Sequence, residues 1–241
     1  MEKMNKELFY KELEKNNIVL NDIQKEQLDT YCNFLIEYNK HTNLTAIKEE
    51  KDIYLKHFYD SLTLTKVYNL KDEKILDIGT GAGFPGMVLK IVYPSIELTL
   101  LDSNNKKTKF LEELIDKLHV DKVTVINKRA EDYIKEKREY FDIVTSRAVS
   151  DLTILSELSL PFVRINGYYI PLKGSNIEEI NNGKYSIKIL GGNIERIENI
   201  TLPIEHSERN ILLIKKVDKT PSKYPRLYSQ IIKNPLKNGT K

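Results

Sequence analysis

Two hydrophobic rhythms divide the chain. Over residues 1–66 apolar positions recur every three or four residues, with Leu8, Tyr10 and Leu13 in one segment and Leu28, Tyr31, Cys32, Leu35, Ile36 and Tyr38 in a longer one. That spacing lines up one apolar stripe on each helix. Asn21 is placed to cap the second helix, and Asp52 or a neighbour begins a third that runs through Tyr54, Leu55, Phe58, Tyr59 and Leu62. From Lys74 the rhythm changes. Short runs rich in Ile, Leu and Val alternate with amphipathic stretches, as in strand–helix–strand units around a parallel sheet. Strands are predicted at Lys74–Gly79, Glu97–Ser103, Val123–Lys128, Phe141–Arg147 and Gly167–Leu172. The best-defined helix runs from about Lys106 to His119, with Phe110, Leu111, Leu114, Ile115 and Leu118 on one face. After Gly174 the pattern reads as a short helix and strand-like stretches at Ile187–Leu190, Ile194–Leu202 and Arg209–Val217, the last two suited to an antiparallel hairpin. The expected organisation is a helical element over residues 1–70, a Rossmann-like α/β core over 71–217 and a tail over 218–241.

With 241 residues and 40% hydrophobic content, the chain is long enough to bury a sizeable core. No apolar run approaches the roughly 20 residues a spanning helix needs, and Met1 to Tyr10 lacks the continuous apolar stretch of a secretory signal. A cytoplasmic location without membrane contact is expected. Cys32 is the only cysteine, which excludes an internal disulfide and a multi-cysteine zinc cluster; no metal is expected. The net charge of +3 is unevenly spread: residues 1–70 and 71–214 each carry −2, and residues 215–241 carry +7. That last segment also holds Tyr224, Tyr228 and three prolines, and reads equally as a solvated tail or as one that contacts a polyanion such as RNA.

The most informative stretch is Ile75-Leu76-Asp77-Ile78-Gly79-Thr80-Gly81-Ala82-Gly83-Phe84-Pro85-Gly86, a strand, a glycine loop and a helix start. Glycines allow close backbone approach to a ligand, and Pro85 suits a first helical turn. Gly81-x-Gly83-x-x-Gly86 also satisfies the dinucleotide fingerprint, and Asp102 at the end of the next strand suits a ribose in either case. Asp77 discriminates. A carboxylate facing a pyrophosphate at roughly 6 Å costs about 3 kcal/mol per charge pair at an effective dielectric near 20. S-adenosylmethionine carries an ammonium and a sulfonium, so the same carboxylate would attract it. A methyl donor is therefore the expected ligand, with Gly79 and Gly81 in its cradle, and a nicotinamide oxidoreductase is the alternative. The predicted edge hairpin points the same way, since it separates a methyltransferase-like topology from a plain dinucleotide-binding one.

Missing motifs narrow the acceptor. Carbon-5 pyrimidine transfer needs a cysteine nucleophile, but Cys32 sits on a helix's apolar stripe. The fourth strand ends Thr145-Ser146-Arg147-Ala148, without the Asn/Asp-Pro-Pro-aromatic turn of exocyclic amine transfer. A guanine N7 offers a free lone pair, so in-line placement supplies most of the acceleration and no dedicated base is required. Arg147 and Lys173, ending the fourth and fifth strands, are placed where methyl group and acceptor should meet; Arg147 suits the donor's carboxylate or an RNA phosphate. Asn39, Asn43 and His57 belong to the helical element that could lie against the site; for His57 and Asn39 a structural hydrogen bond is favoured over direct catalysis, since buried polar groups need partners.

The chain carries Tyr38-Asn39-Lys40 with Thr42-Asn43-Leu44-Thr45-Ala46, His57 with Asp60-Ser61-Leu62, the glycine loop with Phe84-Pro85-Gly86, Leu101-Asp102-Ser103, Arg129-Ala130-Glu131, Ser146-Arg147-Ala148 and Leu172-Lys173-Gly174. On these motifs it resembles the glucose-inhibited division protein B family, bacterial methyltransferases of a guanine N7 in small-subunit (16S) ribosomal RNA. The resemblance implies a class I fold with a mostly parallel seven-stranded sheet, and donor contacts from Gly79, Phe84, Ala130, Glu131 and Arg147. Tyr224-Pro225-Arg226 and Asn234-Pro235-Leu236 are also similar to the family, but Ser229-Gln230-Ile231-Ile232 stands where a glycine and a proline would be expected between them. Under this reading the RNA side comprises Asn39, Asn43, His57, Arg129, Lys173 and Arg226, with Lys106, Lys107, Lys109 and the basic tail on phosphates, and the partner is small-subunit ribosomal RNA or the subunit, met by a monomer. A methyltransferase of a small molecule or protein, and a non-catalytic RNA-binding protein that keeps the loop, remain the other readings.

Overall fold

The computed structural model describes residues 3–147 and 150–237. Helices α1 (Lys6–Glu14) and α2 (Asp22–Thr42) lead the chain, each started by an asparagine side chain that accepts a backbone N–H; Asn21 and Gln24 do so reciprocally. The predicted third helix is one run made of α3 (Glu50–Asp52), a π-helical stretch Ile53–Tyr59, α4 (Asp60–Leu62) and a 3-10 turn Thr63–Lys66.

Five strands then pair in parallel: β1 (Lys74–Ile78), β2 (Glu97–Leu101), β3 (Val123–Ile126), β4 (Phe141–Arg147) and β5 (Val163–Lys173). The hairpin β6 (Gly192–Thr201) and β7 (Glu208–Lys216) joins antiparallel through β7 against β5, giving the order β3-β2-β1-β4-β5-β7-β6. This is the expected seven-stranded, mostly parallel sheet with an antiparallel edge. Strand alternation splits the interior into two layers: Ile75, Ile143, Ile170 and Ile211 face one hydrophobic cluster, and their neighbours Leu76, Val144, Tyr169 and Leu212 the other. The first cluster takes in α5 (Gly86–Val92), α6 (Asn105–Leu118) and, outside them, the amino-terminal helices. The second takes in α7 (Ala130–Lys137), α8 (Leu152–Ser159), α9 (Ile177–Ile189) and α10 (Tyr228–Lys233).

One expectation is corrected, and part of the tail is placed. Ile187–Leu190 is no strand: it is the last turn and cap of α9. Asn176 starts that helix by accepting from the N–H groups of Glu178 and Glu179, and Ile180, Gly183 and Ile187 form its buried stripe. A short apolar run at a helix end looks the same as a strand in sequence. The tail, whose sequence reads equally as solvated or as RNA-contacting, packs on the fold over part of its length: Tyr224 and Ile231 are buried in the second cluster, and Ser229–Ile232, in place of the glycine and proline, lies within α10. Ala148 of the β4 motif lies outside the described residues.

Candidate functional site

The order of the strands reverses between β1 and β4, and a cleft of about 490 Å³ opens there at the carboxyl ends of the strands. Its floor follows the sheet. The β3 end supplies Lys128, Arg129, Ala130 and Glu131; β2 supplies Asp102; the β1 loop supplies Gly79, Gly81 and Phe84; β4 supplies Arg147. Leu44, Thr45 and His57 of the amino-terminal element close the β4 end, and Leu158 and Tyr228 also line the cleft.

The glycine loop is tied from both sides. Gly79 and Gly81 adopt φ of 66° and 63°, the left-handed region that glycine enters without penalty. Asp102 Oδ2 accepts the Gly81 N–H at 3.0 Å and Oδ1 accepts that of Asn104 at 2.9 Å, while Lys107 Nζ lies 3.6 Å away. Spare lone pairs remain on this carboxylate at the cleft wall, where ribose hydroxyls can donate.

Asp77 does not line the cleft. It is 0% exposed, and its Oδ2 accepts from Thr80 Oγ1 at 2.7 Å and Gly86 N at 2.9 Å, binding the loop to the helix start. The expectation of direct donor contact is corrected: the charge stands behind the loop rather than in front of it. Gly86 is required by that packing, since a Cβ there would meet Asp77 Oδ2 at 2.9 Å. Burial pushes the Asp77 carboxyl up to about 6, against the lowering effect of its two hydrogen bonds, and Oδ1 has no partner.

Arg147 crosses to the amino-terminal element. Its Nη1 donates to the Lys56 carbonyl at 2.8 Å and to Asp60 at 3.1 Å, its Nη2 to His57 Nδ1 at 2.8 Å, and its guanidinium lies 5.1 Å from the Phe84 ring centre. Phe84 is in turn stacked between His57, at 4.2 Å, and Tyr31, at 5.2 Å. Arg147 thus reaches the cleft, but its terminal nitrogens are engaged within the protein rather than held free for a phosphate or carboxylate. Burial and the neighbouring guanidinium hold the His57 imidazole well below its ordinary value, at about 3.

Four other expected contacts fall away from the cleft. Lys173 is buried, with Nζ on Glu179 and the Ser150 carbonyl, both at 2.6 Å; it fastens the segment after β4 to α9. Arg226 pairs with Glu157 through Nε at 2.8 Å and Nη2 at 2.6 Å, and so anchors the tail to α8. Asn39 is turned inward onto the Thr45 backbone, and Asn43, with φ of 51°, terminates α2. Of the remaining expected RNA contacts, His57 lines the cleft and Arg129 is at its rim with its guanidinium 5.9 Å from the Tyr228 ring centre. Sequence reasoning did not single out Tyr228 or Asp60 as site residues. Asp60 sits 87 positions from Arg147, a separation at which no local pattern signals pairing.

Residues 24–212 match the model of the family described as rRNA small subunit methyltransferase G. The chain belongs to that family. It is 49% identical over 229 residues to the ribosomal RNA small subunit methyltransferase G of Lactobacillus helveticus, covering 92% of this chain and 95% of the relative. The protein of that name from Bacillus thuringiensis is 47% identical over 227 residues, with the same coverage. Among solved structures, a SAM-dependent methyltransferase from Aquifex aeolicus aligns with a TM-score of 0.54 at 17% identity, over 72% of this chain and 97% of that one. Precorrin-6y C5,15-methyltransferase from Geobacter metallireducens aligns with 0.53 at 15%, over 73% and 91%. These two likenesses concern the fold, that of class I methyltransferases. As a member of the methyltransferase G family the protein is a methyltransferase.

Proposed function

We propose that the protein, as a cytoplasmic monomer, transfers the methyl group of S-adenosylmethionine to N7 of a guanine in small-subunit ribosomal RNA. Family membership over nearly the whole chain carries this reading. The residues present suit the donor. From β3 to β4 the cleft offers Ala130 and Glu131 for an adenine, Asp102 for ribose hydroxyls and the Gly79–Gly81 backbone for the methionine portion, with Phe84 and Arg147 shaping the reacting end. The unpartnered Oδ1 of Asp77 leaves negative potential behind the loop, which favours a cation in front of it.

When bound, the donor supplies an electrophilic methyl on sulfonium: one carbon–sulfur bond breaks with its electron pair left on sulfur, one carbon–N7 bond forms, and no proton leaves. The protein's task is placement. The neutral His57 and the engaged Arg147 suit that task, because neither is set up as a base. Exposed Lys106 and Lys109 on α6, with Arg129 at the rim, suit RNA phosphates. That rim favours RNA over a small-molecule acceptor. Radiolabelled methyl transfer to purified ribosomal RNA and to subunits, followed by mapping of the modified base, tests the reading; label on protein or small molecules alone would refute it.

A further inference from the structure

Hydrogen-bond direction can be followed through the β4 end of the cleft without ambiguity. Arginine has only donors, so the 2.8 Å contact from Arg147 Nη2 makes His57 Nδ1 an acceptor. The neutral ring then carries its proton on Nε2, which donates to Thr45 Oγ1 at 3.0 Å. The N–H of Ile47 donates to the same oxygen at 3.1 Å. A hydroxyl oxygen has two acceptor positions and one O–H. Both acceptor positions of Thr45 are filled, so its proton must go to a different acceptor. Among the described residues no acceptor for it is found, and Thr45 lines the cleft.

The residue is also held rigidly. Asn39 accepts the Thr45 N–H at 3.0 Å and donates to its carbonyl at 2.8 Å, fixing both backbone polar groups. Behind the histidine, Arg147 is fixed by Asp60. A chain of oriented bonds therefore presents one neutral donor at the end of the cleft nearest β4, beyond the positions that suit the donor's nucleoside.

We propose that Thr45 recognises the acceptor base, its hydroxyl donating to the O6 carbonyl of the target guanine. This assignment rests on the guanine-N7 reading above. O6 and N7 share one edge of guanine, so a bond to O6 fixes the direction of the N7 lone pair. Adenine presents an amino group at that position, and the forced Thr45 donor would meet another donor. Thr45 is thus both a positioning and a specificity-determining residue, and Asn39, His57 and Arg147 act through it.

The test uses Thr45→Val and Thr45→Ser in the full chain, with subunits whose target guanosine is intact or replaced by 2-aminopurine riboside, which lacks O6. S-adenosylhomocysteine affinity should be unchanged in both variants. We expect Thr45→Val to lower kcat/KM on guanosine about tenfold, as for one neutral hydrogen bond, and Thr45→Ser to stay within about threefold of wild type. Removing O6 should slow the wild type about tenfold and leave Thr45→Val no slower than it already is. If Thr45→Val loses S-adenosylhomocysteine affinity, Thr45→Cys replaces it, since a thiol of similar size is a far weaker donor. Wild-type transfer to guanine N7 with equal O6 effects in wild type and variant, or with no effect of losing the hydroxyl, overturns the assignment alone. No wild-type transfer to guanine N7 overturns the functional reading and the assignment together.

Discussion

Asp102, Asp77 and His57 are charged or chargeable groups with different surroundings, and their substitutions should separate cleanly. Asp102 faces the cleft, so Asp102→Ala should weaken donor binding by roughly 1.5 to 3 kcal/mol, the range for hydrogen bonds to a charged group, as read by calorimetry. Asp77 faces inward. Its folded pKa of about 6 lies above the ordinary 3.8, so its favourable contribution is complete below that value and is lost as pH rises through about 6. Asp77→Asn should therefore raise Tm at pH values above about 6 and give little gain in acid, while weakening binding of the cationic donor through the lost field. A lower Tm at neutral pH would reject this account of Asp77. For His57 the sign is opposite. Its folded pKa near 3 lies below the ordinary 6.5, so its contribution is present above that value and declines as pH falls from about 6.5 towards 3. His57→Asn keeps an acceptor for Arg147 at the Nδ1 position, loses the donor to Thr45, and has no group that protonates in acid, so Tm should fall less steeply in acid than in wild type. At this scale the sequence carried residue type and place along the strand, but not which way a side chain turned. Asp77 ends β1 as expected, yet it is oriented by Thr80 and Gly86 into the core.

Elements were legible wherever burial imposed a period. The strand ends fell close to expectation because Asp102, Gly79 and Arg147 interrupt apolar runs, and α6 was plain from its single stripe. Two elements were not legible: α9's last turn, where a short apolar run at a helix end reads like a strand, and the tail, which depends on a distant partner. The tail's partner is Glu157, which is fully buried and met by Arg226. Removing one member of a buried ion pair leaves an uncompensated charge, at a cost of about 3 to 5 kcal/mol, and the 24% exposure of the Arg226 side chain puts this pair towards the lower end. Arg226→Ala should accordingly destabilise by about 3 kcal/mol in denaturant unfolding and speed proteolysis after residue 217. The tail also brings Tyr228 to the cleft. The chain has no tryptophan, so Tyr228→Trp would introduce a single indole there. Its emission should change with S-adenosylhomocysteine and saturate at the calorimetric Kd; a constant spectrum during demonstrated binding would place α10 away from the ligand.

For the whole molecule, the question is which of the basic residues remain available to RNA. The +7 of the last 27 residues overstates the tail's share, because Lys216 is buried on the Leu160 carbonyl and Thr220, and Arg226 is committed to Glu157. Lys173 is likewise spent on Glu179. That pairing could not be read in advance, since net charge is additive along a sequence while availability depends on folded neighbours. What remains near the cleft is α6 and the β3 loop. Lys106, Lys107 and Lys109 crowd the start of α6, where no acidic residue is present and the helix dipole disfavours cations by a few tenths of a kcal/mol each. A polyanion crossing the cleft mouth would offset that cost. If about five phosphates are neutralised, log affinity for single-stranded RNA should fall with log salt at a slope of about −3.5. Lys106→Ala with Lys109→Ala should make the slope shallower by about 1.4 and leave S-adenosylhomocysteine affinity intact, whereas Arg226→Ala should leave the slope unchanged despite removing an equal kind of charge. A salt slope that responds to Arg226 but not to the α6 pair would move the RNA path from the cleft mouth to the tail.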